Sequence, residues 1–515
     1  MKSRTRKEYV SLNIIAGSIS QVISLILQMI CRTIFLNTLG AQYLGISAMF
    51  FNILTVLSLA DLGFGTAIVY SMYKPLALKD SDMVVALMTY YRKIYNRIAM
   101  IVAIIGIGMI PLLPYVVNLD SDIPHLTMYY LLYVINIVIS YSMAYKYTII
   151  SADQKEYLLT IYSLVGSMIQ IILQILILIF FKSFMLYLLV SILRTFLVNW
   201  FQTNKAKKLY PYIKQKKELD MDMKKHIGEN VKSMFLYKLG GVLLNNTDNF
   251  IISVIVGTIY VGYYSNYLTI IAAVTNFVII IFNSITSSVG NLNVIDDKDR
   301  QFEIFRVLNL IVFWIMSFCS VCFFILFNDF ITLWIGENYV FGMPIVIVIV
   351  LNFFMPGTIS DISIFRDTTG MFRQTKYVFL LTAFINLVLS IILGKIYGIF
   401  GILLATAISR ILTNMWYEPF ILFRTYFGKS PFVYFKRQSY YWIIFAVTSL
   451  CTYLLCSIFK SISVVNLLLK LVLCIIVPNV IIVALFYKTK EFEYIYEQIV
   501  KKAVNRIMWR NKLRG

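Results

Sequence analysis

The feature that most constrains this chain is a series of apolar runs of about 20 residues or more, repeated along almost its whole length. A helix of that length crosses the hydrocarbon core of a bilayer, where backbone polar groups must satisfy each other. The runs therefore predict an all-α polytopic membrane protein with about 14 transmembrane helices. The composition agrees, because only 14% of the residues are charged, against about 25% in soluble proteins.

The basic residues between these runs set the expected orientation. Most of the 46 Lys and Arg residues lie in connections on the N-terminal side, whereas Lys182, Lys395 and Lys460 lie on the opposite side. Such residues accumulate in cytoplasmic loops, so we predict cytoplasmic N and C termini. The same placement accounts for the net charge of +21, and we expect no nucleic-acid partner.

A match between the two halves of the sequence predicts an internal repeat. A single offset lays Gly40–Gly45 on Gly257–Gly262, and nearly the same offset lays Arg194 on Arg410. Six spans in each copy predict two six-helix bundles related by pseudo-two-fold symmetry, with the substrate path between them. The expected domains are an N-terminal bundle at 1–204, a basic cytoplasmic linker at 205–230, a C-terminal bundle at 231–425, and two additional transmembrane helices with a basic cytoplasmic tail at 426–515.

Polar side chains inside the apolar runs predict a water-lined interior. Lys238, Asn245 and Asp248 fall on one face of a single helix at about 100° per residue. Gln21, Gln28 and Arg32 share a face of the first span in the same way. Charges at membrane depth cost about 2.5–3.5 kcal/mol each on insertion scales, so they normally face a cavity or a partner helix. We predict that Gln21, Gln28 and Asn245 line such a cavity, with interhelical hydrogen bonding as the alternative for Gln28.

The cations of this interior predict an anionic substrate. Arg194 and Arg410 each lie about 15 Å deep in a span, and with Lys238 they would form a positive patch at the midplane. Arginine can bind phosphate oxygens through two parallel hydrogen bonds. We therefore predict that Arg194, Arg410, Lys238 and Arg32 bind substrate. For Arg32, which lies nearer the outer surface, snorkelling to the interface is the alternative.

The acidic residues of the interior have two interpretations. Asp61, Asp248 and Glu418 would gate the path or couple transport to an H⁺ or Na⁺ gradient, and we place Asp248 opposite Arg32. Structural ion pairing is the alternative. We predict no catalytic site, cofactor or metal, because the six cysteines lie in apolar runs and the two histidines provide no nucleophile–base pair.

Five short motifs resemble one transporter family. They are Leu57–Ile68, Tyr73–Leu76, Asn246–Asn249, Val261–Tyr267 and Phe365–Gly370, and they look like those of the Wzx-type polysaccharide flippases. That family belongs to the multidrug/oligosaccharidyl-lipid/polysaccharide exporter superfamily. The resemblance covers roughly residues 8–425.

The resemblance implies a function. We expect two six-helix bundles around a central cationic cavity in a bacterial plasma membrane, which flip undecaprenyl-pyrophosphate-linked oligosaccharides to the outer leaflet for O-antigen, capsule or exopolysaccharide synthesis. The expected partners are this lipid-linked substrate, the bilayer, a polysaccharide polymerase and glycosyltransferases. A lipid II-type or drug exporter of the same superfamily, and a membrane-embedded polysaccharide polymerase or ligase, are the alternatives.

Overall fold

A computed structural model describes the backbone of residues 6–57, 64–118, 123–295, 297–369 and 371–497. Every regular element in these ranges is helical, which confirms the all-α prediction. Within them, side chains are described except at 6–22, 57, 64, 66–67, 70, 214, 226, 229–238, 245, 280, 283–295, 367, 372–373 and 376.

The helices follow one another with short connections. The first ten are α1 (Arg6–Leu39), α2 (Ala41–Leu57), α3 (Phe64–Ala77), α4 (Ser81–Gly108), α5 (Leu113–Val116), α6 (Leu126–Ala144), α7 (Thr148–Ala152), α8 (Glu156–Phe180), α9 (Phe184–Leu209) and α10 (Met221–Ile255). The others are α11 (Thr258–Ile295), α12 (Lys298–Ile335), α13 (Met343–Thr358), α14 (Ser360–Thr369), α15 (Phe372–Leu412), α16 (Asn414–Ile421), α17 (Pro431–Cys456), α18 (Val464–Phe486) and α19 (Lys490–Ile495).

The chain is a multi-pass membrane protein. Among the described residues, nine helices are long and apolar enough to cross a bilayer, and two shorter apolar helices accompany them at Ile23–Leu39 and Ala41–Val56. The predicted count of about 14 spans and the predicted orientation stay predictions. One helical stretch, Tyr377–Phe427, holds two predicted spans, and Gly398 at φ 59° divides its first helix, α15, between them.

The helices form two compact units, Met1–Asn266 with Gly394–Ile399, and Tyr267–Leu393 with Phe400–Gly515. These units follow packing rather than the predicted repeat, so the predicted domain limits stay predictions. Much of the predicted linker is helical, because α9 continues to Leu209 and α10 already begins at Met221. Apolar content marks only the part of a helix that lies in lipid, whereas backbone hydrogen bonding continues into the aqueous phase.

In the first unit, α1 packs along α8, α4 along α6, and α9 against both α6 and α8. One apolar core gathers residues of α3, α4, α7 and α10, and its largest fully buried member is Tyr91. Many large apolar side chains of α8 and α9 are exposed, among them Ile169, Phe180 and Leu193, as expected for helices whose outer faces contact lipid.

Two equivalent turns meet inside the first unit. Gly40 joins α1 to α2 at φ 84°, and Gly257 joins α10 to α11 at φ 136°, where glycine avoids the steric penalty of a side chain. A methyl group on Gly45 would lie 2.1 Å from the Thr258 carbonyl oxygen, and one on Gly262 would lie 2.8 Å from the Ala41 carbonyl oxygen. The two motifs that predicted the repeat are therefore in backbone contact.

In the second unit, α12 is the central helix and packs against α13, α17 and α18. An aromatic core joins α12 to α14 and to the π-helix Leu422–Phe427, and it includes Phe305, Phe365 and Phe423. This core places α14 and α16 side by side, which positions the charged residues described below.

Candidate functional site

A polar seam connects α8 and α9. Ser163, Ser167, Gln170 and Gln174 follow one another at helical spacing on α8 and face α9. The Gln202 amide donates to the Ser163 hydroxyl at 3.2 Å, and the Gln174 amide donates to the Ser191 hydroxyl at 2.9 Å. Gln170 reaches the same hydroxyl at 3.2 Å. Polar side chains between membrane helices satisfy each other in this way, so the seam fixes the facing surfaces of the two helices.

Arg194 lies in the middle of this seam. It is ten residues from the first residue of α9, about 15 Å along the helix axis, which matches the predicted depth. Its Nη2 donates to the Ser167 hydroxyl at 3.0 Å and to the Ser163 carbonyl at 3.4 Å. No carboxylate among the described residues lies within ion-pair distance of it. The guanidinium charge is therefore held by neutral partners only.

One side of Arg194 faces a polar cavity, which we call the Arg194 cavity. Its volume is about 520 Å³, and its lining comes from α2, α6, α7, α8 and α9. Ten of the lining residues carry polar groups that can form hydrogen bonds and have no formal charge: Thr55, Tyr133, Asn136, Ser140, Tyr147, Ser151, Ser163, Thr195, Asn199 and Gln202. Glu156 lies at the first residue of α8 and is the acidic residue of this lining. Such a surface suits a ligand rich in hydroxyl groups.

Three buried polar atoms of this lining lack a partner among the described residues. They are the Nε of Arg194, the Nδ2 of Asn199 and the Oδ1 of Asn136. Buried donors and acceptors normally find a hydrogen bond, so water or a polar ligand in the cavity would satisfy these three atoms. Two of the three are donors, which fits an acceptor-rich anion.

The other side of Arg194 faces an apolar groove between α8 and α9. The groove has a volume of about 340 Å³ and is lined mainly by Tyr162, Val165, Ile169, Leu193, Leu197 and Phe201. Arg194 and Val198 line both the groove and the Arg194 cavity. A cation thus stands between a hydroxyl-rich space and a hydrocarbon-like space, which is the arrangement that an anionic amphiphile requires.

Arg32 is also held inside the first unit. Its Nε donates to the Asn266 Oδ1 at 2.6 Å, and its Nη2 donates to the Ser265 hydroxyl. Both partners belong to the motif Val261–Tyr267. The guanidinium is therefore engaged by polar groups of α11. Asp248 on α10 is buried at 7% exposure, and its proposed pairing with Arg32 stays a prediction.

In the second unit, Glu418 forms a buried ion pair with Arg366. The Nη1 of Arg366 lies 2.7 Å from the Oε1 of Glu418, and the two side chains are 4% and 1% exposed. This is the structural ion pairing that was the alternative for the acidic residues. Arg410 is buried at 7% exposure near the end of α15. Arg194 and Arg410 belong to different units, so their predicted common patch stays a prediction.

Several predicted residues fall outside the description. Asp61 is not among the described residues, and neither are the side chains of Gln21, Lys238 and Asn245. Gln28 is exposed on α1. The predicted roles of these residues in binding, gating and cavity lining are untested.

The sequence reasoning missed most of the residues that surround Arg194. Asn136, Asn199 and Gln202 are amides within long apolar helices, and Ser163 with Ser167 continues the polar spacing of α8. The same face-by-face comparison that identified the stripe of the first span would have found them. In the second unit, Arg366 and the fully buried Asp361, which accepts from the Asn309 Nδ2 at 2.7 Å, were also missed as a group.

Comparison with known proteins identifies the fold. No family model matches the chain, and no curated protein sequence matches it. Among solved structures, it resembles a lipid II flippase, MurJ, in an inward closed conformation, with a TM-score of 0.67 at 16% identity over 92% of this chain and 99% of that one.

Two MATE transporters are also similar. An inward-facing MATE family transporter of the MOP superfamily has a TM-score of 0.59 at 14% identity, over 78% of this chain and 96% of that chain. A mutant of the Vibrio cholerae MATE transporter VcmN has a TM-score of 0.56 at 12% identity, over 80% of this chain and 96% of that chain. At these identities the likeness concerns architecture alone: the chain has the helical fold of the MOP superfamily transporters.

Proposed function

We propose that this protein is a transporter that moves an undecaprenyl-pyrophosphate-linked oligosaccharide from the cytoplasmic to the outer leaflet by alternating access. A diphosphate and a hydroxyl-rich sugar cannot enter hydrocarbon unaided, because burying unpartnered polar or charged groups is too costly. Such a substrate needs a polar route for its headgroup, while its polyprenyl chain can stay in an apolar environment.

The observation that carries the proposal is the position of Arg194 between the Arg194 cavity and the apolar groove. The guanidinium would bind the diphosphate with its free Nε and with Nη2, which would exchange a neutral serine partner for a charged one. The sugar hydroxyls would occupy the polar lining, and the first isoprene units would lie in the groove. Each part of the lipid-linked oligosaccharide thus has a surface of matching chemistry next to one residue.

A lipid II-type cargo is the second candidate. It is favoured by the likeness of fold to a lipid II flippase, which extends over 92% of this chain. The same arginine would serve either cargo, so the difference would lie in how the Arg194 cavity accommodates the sugar portion.

The proposal is tested with the full chain in liposomes. Transbilayer movement of a fluorescent undecaprenyl-diphosphate oligosaccharide is measured for the wild type, Arg194→Ala and Arg194→Lys. A charge-assisted hydrogen bond contributes about 1.5–3 kcal/mol, so Arg194→Ala should lower transport about 10- to 100-fold. Arg194→Lys should fall in between, because lysine keeps the charge but loses the planar fork.

Arg97→Ala is the matched control, because Arg97 is an exposed arginine on α4 outside the Arg194 cavity, and it should transport like the wild type. Faster transport of lipid II than of the oligosaccharide, with the same dependence on Arg194, would favour the second candidate. Undiminished movement of both lipids in Arg194→Ala, or efflux of a cationic dye without lipid movement, would refute the proposal.

A further inference from the structure

A second pocket lies at the ends of the helices of the first unit, apart from the Arg194 cavity. It has a volume of about 470 Å³ and is built by the first part of α4, the end of α9, the residues after α6 and the short helix at Pro211–Lys214 with the residues after it. We call it the basic pocket. Its cations are Arg92, Lys93, Lys146, Lys207 and Lys216.

The charge of the basic pocket is largely uncompensated. Lys93 pairs with Glu218 at 3.1 Å, but both side chains are exposed, so solvent screens this pair. Arg92, Lys146, Lys207 and Lys216 have no carboxylate within ion-pair distance among the described residues, and no acidic residue contributes to the lining. Neutral donors are present as well, in the side chains of Asn96 and Gln215. The positive charges of these side chains repel one another across the pocket, and a bound anion would reduce that repulsion.

Lys146 has two other cations of the basic pocket near it. It follows α6 and is partly buried, with its ammonium 5.5 Å from the centre of the Tyr145 ring. Burial lowers the pKa of Lys146, and the nearby charges of Lys207 and Arg92 lower it further. A bound anion would reverse the effect of these neighbours, because it would favour the charged form of every cation in the pocket.

We propose that the basic pocket binds the phosphate group of an anionic ligand, namely an anionic phospholipid headgroup or a soluble phosphate. The position at the ends of apolar helices is the depth at which lipid headgroups lie, and the volume admits a headgroup rather than a polymer. Arginine supplies a fork for two phosphate oxygens, and lysines act as point charges around it. The site lies at the end of the first unit that the loop charges predict to be cytoplasmic.

The test measures lipid binding to the purified full chain in detergent, by native mass spectrometry and by the shift in melting temperature. The probes are dioleoyl phosphatidic acid, dioleoyl phosphatidylcholine and, separately, sodium phosphate and pyrophosphate at constant ionic strength. The wild type should prefer phosphatidic acid to phosphatidylcholine. The triple variant Arg92→Gln, Lys146→Gln, Lys207→Gln should weaken phosphatidic acid binding by about tenfold or more, because each basic residue contributes to anionic lipid binding.

The triple variant Arg97→Gln, Lys208→Gln, Lys225→Gln is the control, because it removes one arginine and two lysines that are outside the pocket lining. It should bind like the wild type. If pyrophosphate displaces phosphatidic acid, the ligand is a soluble phosphate. If phosphatidic acid binding is unchanged by pyrophosphate, the ligand is the lipid headgroup. Equal loss of binding in both triple variants, or no preference for phosphatidic acid, would overturn the proposal. The loss of phosphatidic acid binding in the first triple variant should be the same whether residue 194 is Arg or Ala, which separates the basic pocket from the Arg194 cavity.

Discussion

Two arginines within apolar helices have opposite surroundings. Arg366 has a carboxylate partner, Glu418, and the pair is almost completely buried. Arg194 has a serine hydroxyl and a backbone carbonyl as its partners, and it borders two cavities. A buried ion pair is complete in itself, whereas a cation with neutral partners can gain by binding an anion. We therefore propose that Arg366 and Glu418 stabilise the second unit and that Arg194 binds the substrate.

The Glu418 pair gives a stability prediction. Glu418→Gln should lower the free energy of unfolding by about 3–5 kcal/mol, because it removes the carboxylate of a buried ion pair. Glu303→Gln, at an exposed position of α12, should change it by about 0.5 kcal/mol or less. Denaturant unfolding in detergent micelles measures both. The assignment fails if the two variants are equally stable, and the double variant Arg366→Met, Glu418→Leu should recover much of the loss.

Replacing Asn199 should affect stability and ligand binding in opposite directions. Its side chain is buried and its Nδ2 has no partner among the described residues, so Asn199→Leu removes an unsatisfied group that costs about 1–3 kcal/mol. The melting temperature without ligand should stay equal or rise, and its increase on adding the lipid-linked oligosaccharide should shrink. Gln202→Met is the comparison, because that amide is satisfied by Leu159 and Ser163. It should lower the melting temperature. A decrease for Asn199→Leu as large as that for Gln202→Met would contradict the prediction.

At this scale, the sequence could predict which residues matter better than what they contact. Depth and charge alone identified Arg194 and Glu418 as unusual. The partner of Glu418 lies 52 residues away on another helix, and no local pattern encodes that pairing. The neutral partners of Arg194 could have been predicted from the sequence, because the serines of α8 follow helical spacing.

At the scale of elements, one glycine sets the distance between α8 and α9. A methyl group on Gly166 would lie 2.2 Å from the Cγ2 of Val198, which is far inside van der Waals contact. Gly166 also lines the apolar groove, and Val198 separates that groove from the Arg194 cavity. The close approach at this point therefore keeps the polar seam aligned.

Gly166→Ala should lower stability by about 1–3 kcal/mol, since overpacking forces the two helices apart. It should also reduce transport, because the Arg194 to Ser167 contact depends on that approach. Adding Val198→Ala should recover part of the stability, since it removes the clashing methyl group. Gly228→Ala on α10 is the control, because no atom of another element among the described residues lies within 4 Å of the added methyl group. Melting temperatures in micelles measure the stability of the three variants, and Gly166→Ala should have the lowest. A melting temperature of Gly166→Ala equal to that of the wild type would disprove the prediction.

The last helices are integral to the second unit. Lys470 of α18 pairs with Asp329 of α12 at 2.5 Å, and the Trp314 indole of α12 donates to the Asn479 Oδ1 at 2.6 Å. Near the other end of α12, Glu491 of α19 accepts from Arg437 at 3.1 Å. The sequence predicted two additional spans within 426–515 and left their role open. The ion pairs and the aromatic packing give them a structural one, because they cover the central helix.

At the scale of the whole molecule, apolar run length predicted the helical class and most of the spans. The prediction succeeded because a bilayer imposes one length on every crossing element. It does not fix where a helix begins, as at α10, which starts at Met221, well before the apolar run. Packing partners could not be predicted, since apolar side chains that face lipid and those that face other helices are chemically alike.

The contact between the two glycine turns has a further consequence. Gly45 meets Thr258 and Gly262 meets Ala41, and the offset that relates Gly45 to Gly262 also relates Ala41 to Thr258. This reciprocity is the rule of an isologous interface, in which residue i of one copy meets residue j of the other and the reverse. In a homodimer of half-length chains, one glycine position would make both contacts, so a substitution there would affect both at once. In this single chain, Gly45 and Gly262 are separate positions. Each contact can therefore change in sequence without the other, and a symmetric interface can become an asymmetric one.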